Sequence, residues 1–227
     1  MTMASKDTDV RGALRGLADG RSSVRLRAAL AVGTAPDPRY VATLVERCAV
    51  EPEFFVRDML TWALTRHPVA ETLPPLLGEL RSRRARARSQ ALHTLSKIGD
   101  RQAWPAITRA LLTDPDDDVA RSAWRAAVVL VPDGEHAGLA AVLATQFGRG
   151  GRETQLSLSR ALVALEEDAV VPVLASAAAH ADPGVRAHAL ATERLLRDPD
   201  AAFESAVEEA KRVATLGVPD QKAQEEG

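Results

Sequence analysis

Residues 104–131 read WPAITRALLTDPDDDVARSAWRAAVVLV, and this stretch decides the fold. Its first half places Trp104, Ile107, Leu111 and Leu112 at offsets that share one face of a helix. Pro105 suits a first turn, where its missing N–H costs nothing. Asp114-Pro115 stops that helix. Asp116, Asp117 and Asp118 then offer N-cap oxygens and complement the positive end of a second helix. Val119, Ala123, Ala126, Ala127 and Leu130 form the second apolar stripe, and Pro132-Asp133-Gly134 closes it as a turn. The stretch predicts one helical hairpin.

The hairpin recurs in both directions. Taking Val119 as the anchor of the second helix, its counterparts are Val24, Val56, Ala87, Thr154 and Val185, spaced 32, 31, 32, 35 and 31 residues apart. Four residues on come Ala28, Leu60, Ala91, Ala123, Leu158 and Ala189, mostly small. A period in this range marks a helical solenoid, in which each unit buries its apolar face only against its neighbours. The one long interval contains Gly148-Arg149-Gly150-Gly151-Arg152, which places the extra residues in an interhelix loop.

Asp182-Pro183-Gly184-Val185-Arg186, Val24-Arg25, Val56-Arg57 and Ile98-Gly99-Asp100 resemble the HEAT-repeat pattern of the short bacterial type. The pattern departs at the fifth unit, where Thr154-Gln155 stands in place of Val-Arg. The resemblance implies an all-α, right-handed superhelical solenoid of about six hairpins plus a C-terminal helix. It also implies that the second helices line the concave side. A fold of this kind says little about function by itself.

The domain reading follows: a flexible N-terminal arm over 1–9, a solenoid over 10–198, a capping helix over 199–216 and a disordered tail over 217–227. The first helix of the first unit is short. In the sixth unit Val171, Leu174 and Ala178 are read as the buried stripe.

Composition narrows the function classes. The net charge is −2, so the whole chain is not an electrostatic match for nucleic acid. Arginine outnumbers lysine 25 to 4, a bias read first as a coding habit and only second as a binding signal. Cys48 is alone, which excludes an internal disulfide and a cysteine zinc cluster. MTMASKDTD lacks an apolar core, so no secretory signal is expected, and no apolar run reaches the ~20 residues of a membrane helix. A cytoplasmic location is expected.

Helical geometry selects the candidate site. At ~100° per residue, offsets +2 and +6 from each anchor point away from the packed stripe. Offset +6 gives Leu30, Trp62, His93, Arg125, Arg160 and Ala191; offset +2 gives Leu26, Asp58, Ser89, Arg121, Leu156 and Ala187. The predicted partner-binding residues are therefore Trp62, His93, Arg121, Arg125, Arg160 and Asp58, an aromatic beside guanidinium groups that suits an acidic peptide, a phosphate or a stacked base. A basic rim of Arg81, Arg83, Arg84 and Arg86 precedes the third second-helix. Arg25, Arg57, Arg88 and Arg186 at offset +1 read as a ladder of charged hydrogen bonds between units.

Enzymes with HEAT-like repeats were weighed by motif. Deoxyhypusine hydroxylases carry His-Glu pairs, whereas the five histidines here are followed by Pro68, Thr94, Ala137, Ala181 and Ala189. Alkylpurine DNA glycosylases of this fold use a carboxylate and tryptophans in a basic channel, which Asp58 and Trp62, one turn apart near Arg121 and Arg125, resemble. The expectation is a scaffold that binds a protein partner, with no catalytic residue, metal ligand or cofactor. The alternative is nucleic-acid binding or a glycosylase-like activity in the same groove.

Overall fold

The computed structural model describes residues 3–198, with side chains from Asp9 onward. These residues form α1 (Met3–Leu17), α2 (Ser22–Thr34), α3 (Val41–Val50), α4 (Phe54–Thr65), α5 (Val69–Glu79), α6 (Ala85–Ile98), α7 (Arg109–Leu112), α8 (Asp117–Leu130), α9 (His136–Ala144), α10 (Arg152–Val163), α11 (Glu167–Ala178) and α12 (Pro183–Arg197). Short 3-10 segments lie at Pro38–Tyr40 and Arg101–Ala106, and there is no strand among the described residues. None of the described helices is long and apolar enough to cross a membrane.

The helices stack in two layers. Even-numbered helices pack in series, α2 on α4, α4 on α6, α6 on α8, α8 on α10 and α10 on α12. The odd-numbered helices and the 3-10 segment at Arg101–Ala106 run in series on the other side, and each hairpin closes on itself. The architecture is an all-α solenoid. Its core is the seam between the layers, filled by Leu44, Leu60, Leu64, Leu76, Leu92, Leu95, Leu130, Leu143, Leu158 and Leu162, each essentially inaccessible to water. Full burial of such a side chain stabilises by about 1.5–3 kcal/mol before entropy is charged against it.

Anchor positions hold the seam. Val56, Ala87, Val119 and Thr154 are buried, and Val24 and Val185 at the two ends are half-buried. Caps fix where the second helices begin. Asp116 accepts from the N–H groups of Asp118 (3.0 Å) and Val119 (3.1 Å), and Asp182 accepts from Gly184 (2.7 Å) and Val185 (3.2 Å). Gly99 ends α6 at φ 72°, a left-handed conformation that a side chain would strain.

Adjacent second helices are also zipped by small hydroxyls. Ser89 meets Ser122 (2.9 Å), Thr61 meets Thr94 (3.5 Å) and Ser159 meets Thr192 (2.7 Å), all buried. Short side chains let the backbones approach closely, and each hydroxyl finds a partner across the gap, so none is left unsatisfied.

Four expectations are corrected. Helix α1 begins at Met3, so Met3–Asp9 is helical backbone and not a loose arm; that stretch has neither proline nor glycine to stop it. The first helix of the fourth unit is broken into the 3-10 segment and the four-residue α7. Pro105 cannot donate along the ladder, and the chain restarts at Thr108, whose hydroxyl accepts from the Leu111 N–H (3.4 Å). In the sixth unit Val170, Leu174 and Ala177 face the core, and Val171 is exposed, one residue out of the expected register. Ser89 lies in a helix–helix seam and not on the open face. The predicted capping helix over 199–216 and tail over 217–227 lie outside the described residues.

Candidate partner-docking face

Arginines divide into two groups by position on the second helices. Those at offset +1 are held by the protein. Arg25, 4% exposed, donates to both oxygens of Glu51 in the next unit at 2.7 Å and to the carbonyls of Asp19 and Gly20 at 2.9 Å. Arg88 repeats this with Asp114 of the next unit (3.0 and 3.1 Å) and the carbonyl of Ser82 (2.9 Å). Arg57 and Arg186 donate to the carbonyls of the loop before their own helix. Each thus closes its interhelix loop, and two of them also tie one unit to the next.

Glu51 is the most constrained acid. Burial would raise its pKa, but the two Arg25 hydrogen bonds, the Glu53 N–H (3.0 Å) and Arg47 (2.8 Å) hold it down at about 2. It stays ionised at neutral pH inside a fully buried site.

Arg149 was missed as a structural residue. The fourth unit has Ala120 at offset +1, and Arg149 reaches back from the long loop to fill the gap. Its guanidinium bonds Asp117 (Nε 2.9 Å) and the Asp114 carbonyl, and lies over the ring of Trp124 at 6.0 Å. Gly148 and Gly150, at φ 81° and 65°, give the loop its path. The missing arginine at 120 together with the insertion was the available signal. Trp124 itself is fully buried and donates to the Leu112 carbonyl (2.8 Å), and Trp104 is half-buried and donates to Glu135 (2.9 Å).

At offset +6 the side chains stand on the open face. Arg125 and Arg160 are exposed and make no ion pair among the described residues. Arg125 lines two successive clefts. One, of about 160 Å³, is shared with Phe54, Arg57, Asp58, Gln90, His93 and Ser122. The other, of about 250 Å³, is shared with Arg121, Val128, Glu153, Leu156, Ser157, Arg160 and Ala161. Within the first, His93 Nδ1 lies 3.4 Å from the Arg125 Nη1 donor, and burial, with Arg125 and Lys97 nearby, holds the imidazole below its usual pKa. His93 is thereby a neutral acceptor beside a cation. Arg121 is less free than the sequence implies: it is ion-paired with Glu153 and lies 3.7 Å from Asp118.

Trp62 does not join this set. Its indole packs against Gly33 of α2, where a Cβ would sit 2.3 Å from the ring, and it lines neither cleft. Asp58, one turn away, lines the cleft shared with α6 and α8, from which Trp62 is absent. The carboxylate–tryptophan pair expected of a glycosylase-like groove is therefore split between two interhelix seams. The basic rim is also divided. Arg84 lies 3.9 Å from Glu79 and Arg86 donates to the Glu51 carbonyl (3.2 Å), whereas Arg83 is exposed and Arg81 lines a separate groove with Leu77, Leu80 and Pro105. Two aromatics that the offset rule did not select, Phe54 (64% exposed) and Phe55 (75%), stand at the start of α4 on the open side. Among the described residues there is no cluster of acids, histidines and cysteine able to hold a metal ion.

Comparison with known proteins identifies repeats in the middle of the chain. Residues 56–127 match the model for HEAT repeats. No curated protein matches the chain. The solved structure of human deoxyhypusine hydroxylase in complex with glycerol is similar at 18% identity and TM-score 0.48, over 92% of this chain and 96% of that one. That protein is an enzyme, and the expectation of no catalysis is corrected accordingly: HEAT-type architecture gives no ground for excluding it. The likeness carries no activity to this chain. Residues 56–127 thus carry the HEAT-repeat pattern, and like hairpins stack before and after them.

Proposed function

We propose that this protein is a scaffold that binds an acidic segment of a protein partner along the open face of its second helices. The observation that carries the reading is the contrast between arginines. Those at offset +1 are locked into carboxylates and carbonyls, whereas Arg125 and Arg160 stand exposed and unpaired in adjoining clefts. A guanidinium offers a planar fork of donors to a carboxylate, and none is supplied by the described chain. Nucleic acid fits less well. The same face carries Asp58, Asp118 and Glu153, and the chain as a whole is net negative.

The test is fluorescence anisotropy with a labelled glutamate-rich peptide at low salt. Binding that weakens at least tenfold in Arg125→Ala with Arg160→Ala, with the helical circular dichroism unchanged, supports the reading. Absence of binding refutes it, and tighter binding of a duplex oligonucleotide that falls steeply with salt turns it toward nucleic acid.

A further inference from the structure

The open face is not uniformly basic. Its two free arginines belong to α8 and α10, whereas α4 presents Phe54 and Phe55, the two most exposed large apolar side chains described, in edge contact at 5.6 Å. The two regions are continuous, because Phe54 lines the same cleft as Arg125. Arg57 lies over the Phe54 ring at 5.9 Å, and both rings stay largely exposed. Exposed phenylalanines at a helix start have no role in the seam, whose aliphatic side chains lie on the opposite face of α4. Asp58 of α4 lines the same cleft and repels a carboxylate there, so charge orients an acidic ligand toward α8 and α10.

Resting on the reading above, we infer that the partner segment is bipartite: an aromatic or aliphatic anchor seated on Phe54 and Phe55, followed at a fixed distance by carboxylates on Arg125 and Arg160. Spacing follows from the stack. Packed helices lie about 9 Å apart; the Arg125 guanidinium reaches back to His93 on α6, one step and roughly 9 Å from α4, whereas Arg160 stands on α10, three steps and roughly 27 Å away. An extended chain covers ~3.3 Å per residue, which puts the acids about three and about eight residues from the anchor. Linking the two contacts raises the effective concentration of the second once the first is made, provided the linker spans them.

The experiment uses the full chain and three labelled synthetic peptides. The first has a Phe-Phe pair, a Gly/Ser spacer of about three residues and a glutamate-rich end. The second lacks the phenylalanines and the third lacks the spacer. The first is expected to bind about tenfold tighter than either of the others. Phe54→Ala with Phe55→Ala should erase that gain while leaving the second peptide's affinity unchanged. If the second peptide binds through Arg125 and Arg160 but the phenylalanines add nothing, or the gain survives the double substitution, the bipartite inference is overturned and the acidic-segment reading stands. If no glutamate-bearing peptide binds at low salt, both fall.

Discussion

Replacing Glu51 by glutamine tests how the first two units are joined. Each carboxylate oxygen accepts two hydrogen bonds: Oε1 from Arg25 Nη2 (2.7 Å) and the Glu53 N–H (3.0 Å), Oε2 from Arg25 Nε (2.7 Å) and Arg47 Nε (2.8 Å). Glutamine turns one oxygen into a donor, so two of the four contacts become donor against donor. Arg25 keeps the carbonyls of Asp19 and Gly20 but loses its counter-charge while 4% exposed. Breaking a buried pair by removing one partner costs about 3–5 kcal/mol, and the retained carbonyls put Glu51→Gln near the lower end, about 3 kcal/mol. The pKa gives an independent figure. A fall from 4.5 to about 2 corresponds to roughly 3 kcal/mol at neutral pH. The folded state holds the lower value, so this stability is complete above about 4.5 and is lost as pH falls toward about 2.

Because a solenoid loses stability unit by unit, the loss should be local. Amide exchange in α1 to α3 should accelerate by about a hundredfold for 3 kcal/mol, with α10 to α12 unaffected. Urea unfolding followed by helical circular dichroism should show wild type losing its margin over Glu51→Gln on acidification from neutral pH to pH ~3. A variant within about 1 kcal/mol of wild type at neutral pH, or the same acid slope in both proteins, would refute the assignment of Glu51 as the ionised centre of this joint.

Three further substitutions probe the packing. Trp124→Phe strands the buried Leu112 carbonyl and opens a void under Arg149; urea denaturation should show a loss of about 2–4 kcal/mol. Gly33→Ala drives a Cβ to 2.3 Å from Trp62, so melting should show a cost of about 1–3 kcal/mol that shrinks when Trp62→Ala is also present; an undiminished cost would mean the clash lies elsewhere. His188 is buried, accepts from the Gly148 N–H at Nδ1 (3.1 Å) and meets the Gln155 carbonyl with Nε2 (2.9 Å), and burial keeps its pKa below 6.5. The unfolded chain takes up the proton first, so stability should be full above pH ~6.5 and decline below it, a slope that His188→Gln removes.

Much of this molecule was legible because a repeat reports itself several times over. The anchors, the Asp116 and Asp182 caps and the outward direction of Arg125 and Arg160 all follow from helical period and turn chemistry. What failed depended on neighbours. An angle on an isolated helix says that a residue leaves the core stripe, but not whether the next helix lies there. Ser89 shares its offset with Asp58, yet it is buried against Ser122 while Asp58 is exposed. Asp58 and Trp62 share a helix face in projection, yet they turn into different seams because α4 has a neighbour on each side. Pro105 looked harmless in a first turn, but it lies inside the 3-10 segment Arg101–Ala106, and the α-helix begins only at Arg109.

The same limit explains why counting arginines could not find the docking face. An arginine is held when a carboxylate or a loop's last carbonyls lie within its reach, and that is decided by the adjoining unit. Arg25 and Arg88 find Glu51 and Asp114 there; where Ala120 breaks the series, Arg149 is drawn in from the next loop and consumes Asp117 in its place. The acids these arginines meet, Glu51, Asp114 and Asp117, are thereby held, and no ion pair among the described residues neutralises the arginines six residues into α8 and α10. Arg121 shows what happens when one is available: Glu153 of the following unit takes it. A charge reversal that supplies an acid beside Arg160, such as Ala164→Glu one turn on, should therefore close the site from within, lowering affinity for a glutamate-rich peptide as far as Arg160→Ala does without removing a single guanidinium.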